Sequence, residues 1–363
     1  MPNVSQRSFS FLLLLAVGCS SGGSAPPAPS PTPTRTWQMG MAVTPPVLTV
    51  ESVLAGIDSF APHVELAAFH SELPWSDLLA GMTPTAILQR DQTDLVAYLR
   101  QRGLGIAFVL DLTDGLSRSD EAPQLVAAGR SLTEPAIQQL ARDYALAVAT
   151  VLHPEYLGLA AETNLIRAAA PAPLYAAVVA TANAIHQDLL SANVATLEFV
   201  SVQVETAWGL LPPGPFEGIA QDLADFAFAE AIGLSSYPYF AYSHPDDVPA
   251  DYYARLADEA GRPVLVSEGG WTSASLPGAP FGAIASSPEL QARYVERQGE
   301  LLASVDALAW LHLLYADPDL GSWPQPLPPT LPLFTSIGFT DQTFAPKPAH
   351  AAWLDLVARP VAH

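Results

Sequence analysis

Two glutamates stand where apolar, strand-like runs end. Glu162 closes Leu159-Ala160-Ala161 and precedes Thr163-Asn164; Glu268 closes Val264-Leu265-Val266-Ser267 and precedes Gly269-Gly270-Trp271. Breaking a glycosidic bond takes two carboxyl groups in different states. One holds a proton for the departing oxygen, and the other is ionised and attacks, or stabilises, the anomeric carbon. A lone glutamate at a strand end is more often a solvated or salt-bridged carboxylate. The pair carries the reading. His70 and Glu205 also close strand-like runs and are expected near the site as binding or supporting groups, as is Asn164. Tyr237 reads either as a partner of one carboxylate or as a packed loop aromatic. Trp75, Trp271 and Trp310 are candidates for stacking on sugar rings, the last two favoured, and Trp208 reads equally well as packing. Asp111 and Asp114 read as loop caps.

Other chemistries lack their residues. The eight histidines show no His-Glu-x-x-His spacing. Gly233-Leu234-Ser235-Ser236-Tyr237 lacks the final glycine of a serine nucleophile elbow. Asp317 and Asp319 are too sparse for a calcium loop, and neither a P-loop nor a dinucleotide fingerprint is present. No cofactor and no metal are expected.

The elements that must position these groups alternate. Strand-like runs lie at residues 37–43, 64–69, 105–110, 156–160, 196–204, 231–235, 263–267 and 307–314. Helical signals fall between them. Thr133 is expected to cap a helix with Glu134 and Pro135 in its first turn, followed by Ile137, Leu140, Tyr144, Val148 and Val151 on one face. Leu174, Val178, Ala182, Ile185 and Leu189 repeat the pattern. Residues 251–260 end at Gly261, a glycine suited to a helix C-terminus, and Ser287-Pro288-Glu289 opens a helix running to about Leu302. Eight strand-then-helix units imply a parallel sheet with right-handed crossovers. The expected fold is α/β, a single (β/α)₈ TIM barrel. A doubly wound open sheet competes, but Met41-Ala42-Val43-Thr44-Pro45-Pro46 offers no glycine-rich phosphate turn. In such a barrel the strands' C-terminal ends form the site, and strands four and seven face each other across it. A carboxyl separation of about 5–5.5 Å would then imply retention of configuration.

This pattern resembles glycoside hydrolase clan A, the retaining (β/α)₈ hydrolases, from about Trp37 to Trp353. Val202-Gln203-Val204-Glu205 is similar to the clan's fifth strand, and Leu234-Ser235-Ser236-Tyr237-Pro238-Tyr239 to its sixth. Gly338-Phe339-Thr340-Asp341, Pro346-Lys347-Pro348-Ala349 and Trp353 resemble its closing segment. The Ser-Tyr-Pro and Ser-Glu-Gly-Gly-Trp stretches are loosely most similar to the endo-β-1,4-galactanases. The resemblance implies Glu162 as acid/base, Glu268 as nucleophile, and endo action on a neutral β-linked polysaccharide or oligosaccharide. One position departs: the clan's asparagine before the acid/base, which binds the sugar 2-hydroxyl, is here Ala161. That departure keeps a non-catalytic glycan-binding barrel lipoprotein as the alternative, beside a transglycosylase.

The chain has 363 residues, half of them apolar, and a net charge of −21, with Lys347 its sole lysine. Such a surface repels phosphate backbones, so no nucleic-acid partner is expected, and a neutral glycan fits better than a polyanionic one. Arg7 precedes an apolar run at residues 9–17, too short to span a bilayer, and then Leu15-Ala16-Val17-Gly18-Cys19 resembles a bacterial lipobox. Cys19 is the only cysteine. Residues 1–19 read as a lipoprotein signal, 20–36 as a Pro/Ser/Gly-rich tether, and 37–363 as the barrel domain. The expectation is an exported monomer on the bacterial cell envelope, periplasmic or surface-facing, whose lipid anchor is its one membrane contact.

Overall fold

The computed structural model describes residues 34–277 and 282–362; Cys19, the signal segment and most of the tether lie outside the described residues. Strands β1 (Gln38–Ala42), β2 (Leu66–Glu72), β3 (Gly105–Asp111), β4 (Tyr156–Gly158), β5 (Leu197–Gln203), β6 (Ala231–Ser236), β7 (Val264–Gly269) and β8 (Ala307–His312) follow one another in order around a closed barrel. All pairings are parallel, and β8 closes on β1. The single (β/α)₈ barrel expected from the sequence is the fold.

Side chains alternate across each strand, so every second residue faces the barrel axis. Those positions are mostly small: Ala68, Ala107, Ala231 and Ala309, with Leu66, Leu265 and Leu311. One large ring, Phe199 of β5, fills the interior between Gly158 and Gly233. A Cβ on either glycine would lie 2.9 Å from a Phe199 ring carbon, so neither strand can carry a side chain there without displacing the ring.

The same alternation aims the polar groups. In β2 the inward face runs Leu66, Ala68, His70; in β3, Ala107, Val109, Asp111; in β6, Ala231, Gly233, Ser235. On β7 the period breaks. Leu234 pairs with Val266 but Ser235 pairs with Glu268, so the ladder skips Ser267. This irregularity turns Glu268 onto the inward face that Leu265 occupies three residues earlier. Gly269 follows with φ 147, and a Cβ there would sit 2.2 Å from the Ser236 carbonyl oxygen. The glycine after Glu268 is therefore a steric requirement of this bend.

Helices cover the outside. Ala172–Ser191 buries Leu174, Val178, Ala182, Ile185 and Leu189 as expected. Ser287 caps Pro288–Leu302, accepting from the Leu290 N–H at 3.3 Å, and Gly261 ends Ala254–Ala260 with φ 60. Thr133 is not a cap: the helix Pro135–Ala147 has Glu134 at its N-cap position, and that carboxylate is engaged by Arg130 and the Ser131 N–H. Arg35 is buried against Glu65 and bridges to Val361, so contacts with the barrel reach at least two residues ahead of Trp37. Lys347 ties the closing segment to the loops above β7 and β8 through Ser273 and Asp317.

Candidate active site

Beyond Gly158 the chain leaves the β4 ladder and bends, and Glu162 adopts the left-handed conformation with φ 48 and ψ 49. That conformation costs a non-glycine residue about 1–2 kcal/mol, and such strain concentrates at functional positions. It is held by the Glu162 N–H donating to Ser201 Oγ at 2.9 Å and by the helix Thr163–Ala169 that starts at once.

The two glutamates meet at one hydroxyl. Ser235 Oγ lies 2.6 Å from Glu162 Oε1 and 2.7 Å from Glu268 Oε1. A serine hydroxyl has one hydrogen to donate. It can satisfy both contacts only if one carboxyl is protonated and donates to it while it donates to the other. The surroundings choose which. Burial raises the Glu162 pKa, the Glu268 charge adds to the rise, and Arg118, 2.8 Å from Glu162 Oε2, opposes it without winning. Glu268 is also buried, which alone would raise it, but His70 and Arg118 bring it below the ordinary range. The arrangement favours a protonated Glu162 beside an ionised Glu268.

His70 Nδ1 sits 2.8 Å from Glu268 Oε2, and Nε2 sits 3.5 Å from Asp111 Oδ2. Burial disfavours its charge, yet the two carboxylates push its pKa up to about 10. With both ring nitrogens protonated, the 3.4 Å approach of Arg118 Nη2 to Nε2 is a contact between two donors, not a hydrogen bond. Asp111 is held down to about 2 despite its burial, by Arg118 and His70. Asp111 caps its loop as expected, Oδ1 accepting from the Thr113 N–H at 3.4 Å, and in addition its Oδ2 anchors the two cations. Asp114 also caps the loop, accepting from the Leu116 and Ser117 N–H groups at 2.9 Å. Arg118 escaped the sequence reading. It comes from an irregular loop and itself has φ 58, so no periodicity announces it.

Ser235→Ala removes the hydroxyl that donates to ionised Glu268, a contact that lowers the Glu268 pKa, so the Glu268 titration should move to higher pH, followed by carboxyl ¹³C NMR of the purified protein. An unmoved Glu268 titration would reduce Ser235 to a packing residue.

The pair and its partners floor a cleft of about 1190 Å³, which Tyr237 also lines. Its ring rests on Phe334 and Phe240 at 4.9 and 5.7 Å. Other expected contacts are not there. Trp75, Trp271 and Trp310 are fully buried outside the cleft. Trp271 packs on Tyr239 and Tyr294 and donates to Ser286 Oγ, while Trp310 packs on Trp353. None can stack on a sugar. Trp208 is packing, its indole N–H donating to the Tyr252 carbonyl. Glu205 has no exposure; it accepts from the Tyr237 N–H at 2.9 Å and the Tyr252 hydroxyl at 2.8 Å, and burial pushes its pKa up to about 8. It supports the Tyr237 loop from behind. Asn164 donates to the Gln203 carbonyl and accepts from the Gln203 and Leu165 N–H groups, so its amide is engaged and cannot stand in at position 161. Ala161 packs its methyl with the barrel interior. The partly exposed aromatics on the cleft are Phe240, Phe334 and Trp323, all in loops, where sequence pattern is silent.

No protein-family profile and no curated protein matches the chain. Solved structures do. The GH5_18 protein from Streptomyces cattleya, in complex with GlcNAc, is 18% identical with a TM-score of 0.61, over 91% of this chain and 83% of that one. The exo-beta-1,4-mannosidase Op5Man5 from Opitutaceae bacterium strain TAV5 is 18% identical with a TM-score of 0.63, over 89% of this chain and 59% of that one. The beta-glucuronidase of Ruminococcus gnavus is 14% identical with a TM-score of 0.53, over 90% and 50%. These proteins share this chain's closed (β/α)₈ barrel. At these identities the likeness establishes the barrel, and the chain spans only 59% and 50% of the latter two proteins.

Proposed function

We propose that the protein is a retaining glycoside hydrolase acting, in an endo sense, on a neutral β-linked oligosaccharide or polysaccharide. The observation that carries this is the single Ser235 hydroxyl shared by two buried glutamates whose protonation is driven in opposite directions. Glu268 attacks the anomeric carbon and forms a glycosyl ester, while Glu162 gives its proton to the departing oxygen. Glu162, now ionised, takes a proton from water, whose oxygen displaces Glu268 and restores the starting configuration.

Three features support the details. The facing oxygens are no farther apart than two hydrogen bonds laid end to end, short of the ~6.5–9.5 Å that admits a water in inverting pairs. Arg118 and His70, the cations on the described lining, are already paired with carboxylates, which leaves none for a charged sugar. The cleft of about 1190 Å³ exceeds the ~300–1,000 Å³ of ordinary ligand pockets and has room for several units. Neighbours named as glycosidases support the same chemistry. Export and anchoring through Cys19 on the bacterial envelope belong to this proposal and rest on the sequence.

The test is a panel of neutral β-linked glycans and aryl β-glycosides, with the first-formed anomer read by ¹H NMR. Hydrolysis with the β-anomer appearing first is expected. An α-anomer first overturns retention, and binding without any turnover favours the non-catalytic barrel.

A further inference from the structure

The cleft above the glutamates has walls of two kinds. On the side of β2 and β3 stand His70, Glu72, Asp111 and Arg118. On the side of the loops after β5, β6 and β8 the lining is mainly apolar, led by Leu210, Leu211, Leu331, Leu333 and Phe334, with Pro212 and Pro213 at the rim and Thr206, Thr330 and Thr335 among them. Leu210, Leu211, Leu331 and Phe334 all keep part of their surface open to solvent.

The rings of Phe240, Trp323 and Phe334 suit a pyranose face, but the aliphatic stretches beside them, Leu210 to Pro213 and Leu331 to Leu333, do not. Each hydroxyl that left water to lie against leucine and proline would lose its hydrogen bonds without replacement. Isobutyl groups and pyrrolidines present no flat face to a sugar ring. A contiguous exposed apolar surface in a chain of net charge −21 marks a ligand site. The wall is also continuous with the chemistry. Leu165 lines the cleft from the helix Thr163–Ala169 that begins immediately after Glu162, so hydrocarbon lies within one helical turn of the carboxyl that the departing oxygen must meet.

We propose that the leaving-group side of this cleft takes an apolar aglycone: the substrate is a glycoconjugate, a neutral β-linked glycan on an alkyl or lipid-like group, and the bond cut joins the two. This rests on the hydrolase reading above and narrows its substrate.

The experiment uses methyl, butyl and octyl β-glucosides, β-galactosides and β-mannosides below their micelle-forming concentrations. With the full chain, kcat/KM should rise at least about tenfold from methyl to octyl on the sugar that is cleaved, each buried methylene adding to binding. A second arm titrates the same series into the Glu268→Gln protein by calorimetry and needs no turnover. Affinity should rise with chain length, and the heat-capacity change should grow more negative. The double variant Leu211→Gln, Leu331→Gln should lower the octyl-to-methyl ratio in both arms. Turnover with no chain-length effect overturns this proposal and leaves the hydrolase reading standing. Chain-length-dependent binding without turnover of any glycoside supports the apolar site and sinks the hydrolase reading. A chain-length effect that the double variant leaves intact means adsorption elsewhere, and overturns the proposal.

Discussion

Glu268→Gln should end turnover of every glycoside the protein cleaves, by on the order of 10⁴-fold or more, the scale on which loss of an attacking group is felt. The amide matches the carboxylate in shape and keeps a contact for Ser235 Oγ, so the fold around β7 is preserved. It cannot displace a leaving group. Because attack precedes every later step, the loss should be equally deep for aryl glycosides with good leaving groups and for natural linkages. His70 would lose its closer carboxylate at 2.8 Å and keep Asp111, so its pKa should fall from about 10. A 2-deoxy-2-fluoro aryl glycoside, which slows breakdown of the ester, should add one sugar mass to the wild-type protein and none to the variant. A mass adduct that maps to another carboxylate, or a variant running near the wild-type rate, would remove Glu268 from the role.

The barrel was legible because its strands are buried on both faces and read as apolar runs, and because a helical period separates each run from the next. The two glutamates were legible for the same reason, since strand ends are the mouth. Much else turned on the parity of positions along each strand. Ala309 and Leu311 face the barrel axis, so Trp310 between them must face the helices, and its burial follows. Ala231, Gly233 and Ser235 share a face, which brings Ser235 between the carboxylates. Parity alone would have misplaced Glu268, because the skipped Ser267 reverses the face only when the β6 partner is known. Arg118 was beyond reach. A loop residue with positive φ obeys no period, and its value lies in two carboxylates that are 7 and 44 positions away. The apolar wall was hidden likewise, since leucines and prolines in loops read as spacers until the loops are folded over the mouth.

Glu162→Ala should split substrates by leaving group. Without the proton donor, an alkoxide must depart unaided, so natural linkages should lose about 10²–10⁴-fold, the range that general acid–base assistance supplies. A nitrophenolate needs no proton, so Glu268 can still form the ester at a rate close to that of the wild type. Its hydrolysis then fails, because no base is left to activate water, and the enzyme should show a burst followed by slow turnover. Azide attacks without a base. Adding it should accelerate the steady state and give a β-glycosyl azide, a product that also reports retention. The pH profile carries the same assignment with defined signs. Wild-type activity requires Glu268 ionised, so it should fall as pH drops through a carboxyl pKa that His70 and Arg118 hold low against burial. It requires Glu162 protonated, so it should fall again as pH rises through a pKa that burial and the Glu268 charge have raised. In Glu162→Ala the burst rate on the nitrophenyl substrate should keep the acid limb and lose the alkaline one. An alkaline limb that survives, together with no response to azide, would place the acid/base on another residue, and among the described carboxylates on this lining Glu72, whose pKa burial raises, is where the search would go next.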